Sequence, residues 1–159
     1  MKKLICALAF AAMLGVPASA SAQVQAGPIL AYHTETNIEA VGVGAFLGIP
    51  LASIEGVQLV PNFLWFFPDN YDYFEINGDV VYNFMVAADS PVQPFAFGGL
   101  NIGRFSSDFG GSNTEVGLNI GGGVNFVAGS LNPFAGAKFE IQDETGFVIF
   151  GGLGFTLGG

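Results

Sequence analysis

Beyond residue 22, apolar side chains alternate with Gly, Asn and a few charged residues at period two, and clusters of turn-forming residues break the pattern seven times. Period-two alternation belongs to a strand with two unlike faces, not to a helix. The breaks fall at 33–39, 50–53, 68–72, 87–91, 106–114, 128–132 and 142–146. They predict eight strands, at 25–33, 39–49, 54–67, 71–86, 92–105, 114–127, 132–141 and 145–157. An even number of antiparallel strands can close into an up-and-down cylinder, which leaves no open edge for lipid to expose. The expected fold class is all-β: an eight-stranded antiparallel up-and-down transmembrane β-barrel, following a cleaved signal peptide.

The faces can be read strand by strand. Val116, Leu118, Ile120, Val124 and Phe126 share one face of the sixth strand, against Glu115, Gly117, Asn119, Gly121, Gly123 and Asn125. Phe74, Ile76, Val80, Tyr82 and Phe84 oppose Glu75, Asn77, Asp79 and Asn83 on the fourth. The polar face is mostly Gly and Asn, too poorly charged to be a solvent surface. Only 11% of the chain is charged, against about 25% in soluble domains. Such a face suits the interior of a narrow eight-stranded barrel, where Phe46, Phe134 and Phe150 are expected to fill the lumen beside small residues. The apolar face then meets lipid. The opposite arrangement, a soluble periplasmic barrel carrying an apolar ligand, is the alternative.

The first residues form a separate unit. Lys2 and Lys3 precede an apolar run from Leu4 to Val16, and Ala18, Ala20 and Ala22 offer cleavage after Ala20 or Ala22. The domain reading is a signal peptide at 1–22 and an outer-membrane barrel domain at 23–159. The one Cys, Cys6, lies in the leader, so the exported part carries no thiol chemistry. Its cations are Arg104 and Lys138 against 13 acids, which excludes the basic face of a nucleic-acid binder.

Two places strain the alternation. Pro61 falls inside the third strand, where it cannot donate to a ladder, and predicts a bulge. Apolar parity changes between Phe95/Phe97 and Leu100/Ile102, and Gly98-Gly99 would permit a second bulge. The direction of Arg104 stays open on this reading. Under a topology with both termini in the periplasm, 33–39, 68–72, 106–114 and 142–146 are outer loops, and the other connections are short inner turns. Acids gather at the outer end: Glu35, Glu39, Asp69, Asp72, Asp108, Glu115, Asp143 and Glu144. They solvate the loops or form a rim that attracts divalent cations. Phe63, Trp65, Phe67, Tyr71, Tyr73, Phe139 and Phe147 are expected to form an outer aromatic belt, and Tyr82, Phe84, Phe126 and Phe155 an inner one.

Candidate chemistry is sparse. Lys138 and Glu140 share one lumenal face, with Glu75, Asp79 and Glu115 within reach from other strands. A buried charge needs a partner, so these five are expected to form a structural lumenal network. An ion path is the alternative, although eight strands leave little room for one. His33, the only His, stands where the first strand meets its loop and pairs in sequence with Glu35. No nucleophile with an orienting acid accompanies it. Gly121-Gly122-Gly123 lacks the strand-loop-helix setting of a phosphate loop. Neither catalytic residues nor a metal or other cofactor are expected.

On these residues the chain resembles the small outer-membrane barrels of the OmpA/OmpX-like superfamily. The resemblance rests on the leader, on the runs Pro94–Gly103 and Gly117–Phe126, on Pro133-Phe134, and on the closing segment Gly152-Leu153-Gly154-Phe155-Thr156-Leu157. That segment is similar to the signal by which the barrel-assembly machinery takes up its substrates. The resemblance implies a monomer in outer-membrane lipid, without nucleic-acid partners, with a structural or surface-interaction role. A narrow channel or small-solute binder is the alternative.

Overall fold

The computed structural model describes residues 23–35, 38–69, 71–107 and 110–157. The proposed leader at 1–22 lies outside the described residues. Eight strands follow one another: β1 (Val24–His33), β2 (Ala40–Pro50), β3 (Val57–Phe66), β4 (Tyr71–Asn83), β5 (Val92–Ser107), β6 (Gly111–Phe126), β7 (Leu131–Ile141) and β8 (Thr145–Leu157). Each pairs antiparallel with its neighbour, and β1 pairs with β8 to close the barrel.

Alternation sets the two surfaces. Leu30, Val41, Val43, Leu100, Val116, Leu118 and Ile120 stand exposed on the outside, while Glu75, Asn77, Asn101, Asn119, Lys138 and Glu140 are buried inside. A soluble barrel has the reverse arrangement. Ile49, at the end of β2, departs from its outward-facing neighbours and is buried.

Neither predicted bulge forms. The β3–β4 ladder runs in one register through Pro61↔Gly78. On the other side of β3, pairing stops after Phe46↔Asn62 and resumes in the same register at Ile49↔Leu59. Pro61 is thus accommodated by a gap in one ladder, where its missing N–H would have been needed. Pro28 produces a similar gap in the β1–β8 seam, between Ala26↔Phe155 and Ile29↔Gly152. In β5 the register is continuous on both sides of Gly98-Gly99. The backbone does not change parity; the apolar residues change face. Phe95 and Phe97 point into the lumen, Leu100 and Ile102 point out, and Arg104 follows them to the exposed outer surface.

The loop expected at 106–114 is mostly strand. β5 and β6 pair as far as Ser107↔Gly111, and Gly110 takes the left-handed φ of 85° that the tight turn demands. The hairpin-end connections are therefore 34–39, 67–70, 108–110 and 142–144. At the end that holds the two termini they are 51–56, 84–91 and 127–130, and these are not the shorter set.

Candidate functional site

A hydrogen-bonded network crosses the middle of the lumen. The Lys138 Nζ of β7 donates to Glu75 Oε2 at 3.0 Å and to Asn77 Oδ1 at 3.4 Å, both on β4, and pairs with Glu140 Oε1. Asn77 Nδ2 donates to Asn62 Oδ1 on β3 at 2.9 Å. Asn119 Nδ2 on β6 donates to Asn77 Oδ1 at 2.8 Å and to Asp79 Oδ1 at 3.0 Å. Asn62 Nδ2 completes the set on Asp79 Oδ2 at 2.9 Å. Strand alternation alone brings these groups together, since each occupies an inward position of its strand. Four of the five residues expected in a lumenal network therefore lie in one cluster. Glu115 does not: it is half-buried near the hairpin end, where it accepts from Asn113 Nδ2 at 2.9 Å.

His33, at the junction of the first strand with its loop, is fully buried. The Glu35 N–H donates to His33 Nδ1 at 3.2 Å, so the ring hydrogen sits on Nε2 and is donated to Glu140 Oε2 at 3.1 Å. The network thereby reaches β1. The signal that could have found it was parity: His33 shares the inward face of Ile29 and Ala31, whereas Leu30 and Tyr32 point out. His33, Glu75 and Glu140 have ligand atoms within 4.8 Å of one another, a spacing that suits a metal ion. The Lys138 ammonium contacts both carboxylates and already supplies the cation there.

Aromatic rings seal the network toward the hairpin end. His33 packs edge-on to Phe66 at 5.5 Å, Phe66 stacks on Tyr73 at 5.7 Å, and Tyr73 stacks on Phe105 at 4.4 Å. Tyr73 is thus a lumenal lid and not part of an outer belt, and Tyr71 leans inward against Phe105. Phe63, Trp65, Phe67, Phe139, Tyr82, Phe84, Phe126 and Phe155 are exposed on the outside as expected.

Glu35 lies in the 34–39 connection, beyond the spanning strands. Burial raises its carboxyl above the ordinary value of 4.5, and a hydrogen bond with Glu144 raises it further. The folded barrel therefore holds that proton more tightly than the unfolded chain. The stabilisation is present in acid and is lost as pH rises from about 4.5 through the folded-state value. Glu35→Gln is expected to flatten that fall and to leave the barrel more stable than the wild type at neutral pH, as read by urea unfolding in lipid vesicles. An unchanged pH profile would contradict the assignment.

No protein-family model matches the sequence, and no curated protein does. Solved structures do match. The N-terminal β-barrel domain of Pseudomonas aeruginosa OprF superposes with a TM-score of 0.71 at 17% identity, covering 86% of this chain and 100% of that one. The chain has the fold of the small outer-membrane β-barrels. Neisserial surface protein A aligns with the barrel at a TM-score of 0.67 and 19% identity, over 86% of this chain and 97% of that one. Ail, the attachment invasion locus protein of Yersinia pestis, aligns at 0.55 and 14%, with the same coverage. The fold matches the OmpA/OmpX-like resemblance drawn from the sequence.

Proposed function

We propose that the chain is a monomeric integral barrel of the bacterial outer membrane, acting without catalysis as a structural element and as a small contact surface. The observation that carries this reading is the closed lumen. Lys138, Glu75 and Glu140 meet across the interior under the lid of Phe66, Tyr73 and His33, all of them buried. A solute or ion stream would have to break that cluster. The exposed apolar belt supports residence in lipid, which is the first partner. Both termini would face the periplasm, the side from which an exported chain arrives. β8 would offer its Gly152–Leu157 segment to the barrel-assembly machinery before closing on β1. The hairpins carry Glu35, Glu39, Asp69, Asp72, Asp143 and Glu144 to the outer face. Short acidic tips make a modest contact patch, in keeping with neighbours described as a surface protein and an attachment protein.

Planar-bilayer recording tests the structural reading against the channel. The purified chain, refolded and inserted, is expected to give no conductance steps above background. Reproducible unitary steps would overturn the plugged-barrel reading in favour of a narrow channel.

A further inference from the structure

The half of the lumen nearer the termini is not packed. A cavity of about 140 Å³ lies there. Its mouth is set by Gln25, Asn83 and Gln93 near the terminal-end strand tips, and its inner end by Asp79, Asn62 and Lys138. It is therefore blind: the network that plugs the barrel is its floor.

The aromatic walls are held back from the space. Phe46, Phe95, Phe97, Phe134 and Phe150 line it, where such rings were expected to fill it. Each of three rings lies over a glycine of the adjoining strand. A Cβ at Gly121 would stand 2.7 Å from Phe97 Cζ, one at Gly123 2.7 Å from Phe95 Cζ, and one at Gly136 2.8 Å from Phe150 Cζ. Glycine lets each ring lie along the wall. The rings also brace one another: Phe46 meets Phe134 edge-on at 5.1 Å, and Phe97 meets Phe150 edge-on at 5.9 Å. Collapsing the cavity would forfeit these contacts.

The charged groups that reach the floor already have partners. Asp79 accepts from Asn62 and Asn119, and Lys138 holds Glu75, Asn77 and Glu140. An anionic guest would face Asp79 with Lys138 already taken by two carboxylates, and a cationic guest would reach Asp79 only by displacing the amides of Asn62 or Asn119. Three amides on the wall, Gln25, Gln58 and Asn132, make no side-chain hydrogen bond among the described residues. They can serve a guest as donors or acceptors. For scale, an apolar protein cavity of about 150 Å³ admits benzene.

We infer that this cavity is a binding site for a neutral, ring-sized amphiphile: one aromatic or alicyclic ring bearing a hydrogen-bonding group, entering from the terminal end. This goes beyond a structural role, and it needs no passage across the membrane.

Indole is the probe, titrated against the full folded chain in phosphatidylcholine nanodiscs and followed by backbone amide resonances. The expected result is a saturable shift confined to lumenal positions around Gly121, Gly123, Gly136 and Gly152. Benzoate and benzylammonium, carrying one charge of either sign, are expected to give no saturable shift over the same range. Val60→Trp and Val81→Trp both fill the space from its wall, and each is expected to weaken indole binding about tenfold or more while keeping the folded gel mobility. A non-saturating shift spread over outward-facing residues would mean partition into lipid and would overturn the site. Equal binding of the charged probes would overturn the ligand class. Undiminished binding in a folded Trp variant would overturn the location. The wild-type comparison of the three probes decides the matter even where a variant fails to fold.

Discussion

Lys138→Met is expected to destabilise the barrel by about 3–5 kcal/mol, the usual consequence of stripping one partner from a buried ion pair. Lys138 is almost completely buried, and it holds Glu75 and Glu140, which are buried as well. Without the ammonium those carboxylates face each other and Asp79 with only amides and His33 for support. Urea titration in lipid vesicles, followed by tryptophan emission from Trp65, would measure the loss. Adding Glu75→Gln and Glu140→Gln to Lys138→Met removes the two carboxylates that the ammonium paired, leaves Asp79 to its amide donors Asn62 and Asn119, and is expected to restore most of the stability. A single variant within about 0.5 kcal/mol of the wild type, the range of ordinary surface substitutions, would show that the cluster is not the barrel's electrostatic centre.

The second large effect concerns the outer surface. Leu100 stands 59% exposed, pairs with Gly78 on one side and Leu118 on the other, and lies near the middle of β5. Leu100→Arg is expected to cost about 2–4 kcal/mol in a bilayer, as charges do at mid-depth on a lipid-facing strand. The same substitution on a water-facing surface would be nearly neutral. Arg104, four residues on, tolerates its charge because it lies nearer the hairpin end, where a long side chain can reach the interface. Equal stability of wild type and Leu100→Arg in vesicles would contradict a lipid-facing β5.

These two residues also mark what the sequence makes legible. Leu100 and Leu118 alternate with Asn and Gly, and Lys138 sits among Ala and Phe on the unlike face, so strand count, faces and four of the charged residues follow from period two alone. Phe95 and Phe97 do not follow. Apolar side chains can line this lumen because Gly121 and Gly123 give them room, and no local pattern reports that Gly121 lies against Phe97 and Gly123 against Phe95 across the hairpin. Pro61 misleads for another reason. A proline needs relief in only one of its two ladders, and a gap provides it without a bulge. Ser106–Thr114 looks like a loop because Ser, Gly, Asn and Asp dominate it, yet beyond the belt both strand faces meet water and the ladder continues. His33 is hidden by its neighbour Glu35, which suggests solvent; only its parity with Ile29 and Ala31 places it inside.

The central claim is a closed barrel in the outer membrane. Cell fractionation with gel mobility tests it most directly: express the full chain, separate outer membrane from periplasm, and compare unboiled with boiled samples. The account predicts a band in the outer-membrane fraction that changes mobility on boiling, because a closed hydrogen-bonded cylinder survives detergent until heated. A periplasmic band of unchanged mobility would contradict it.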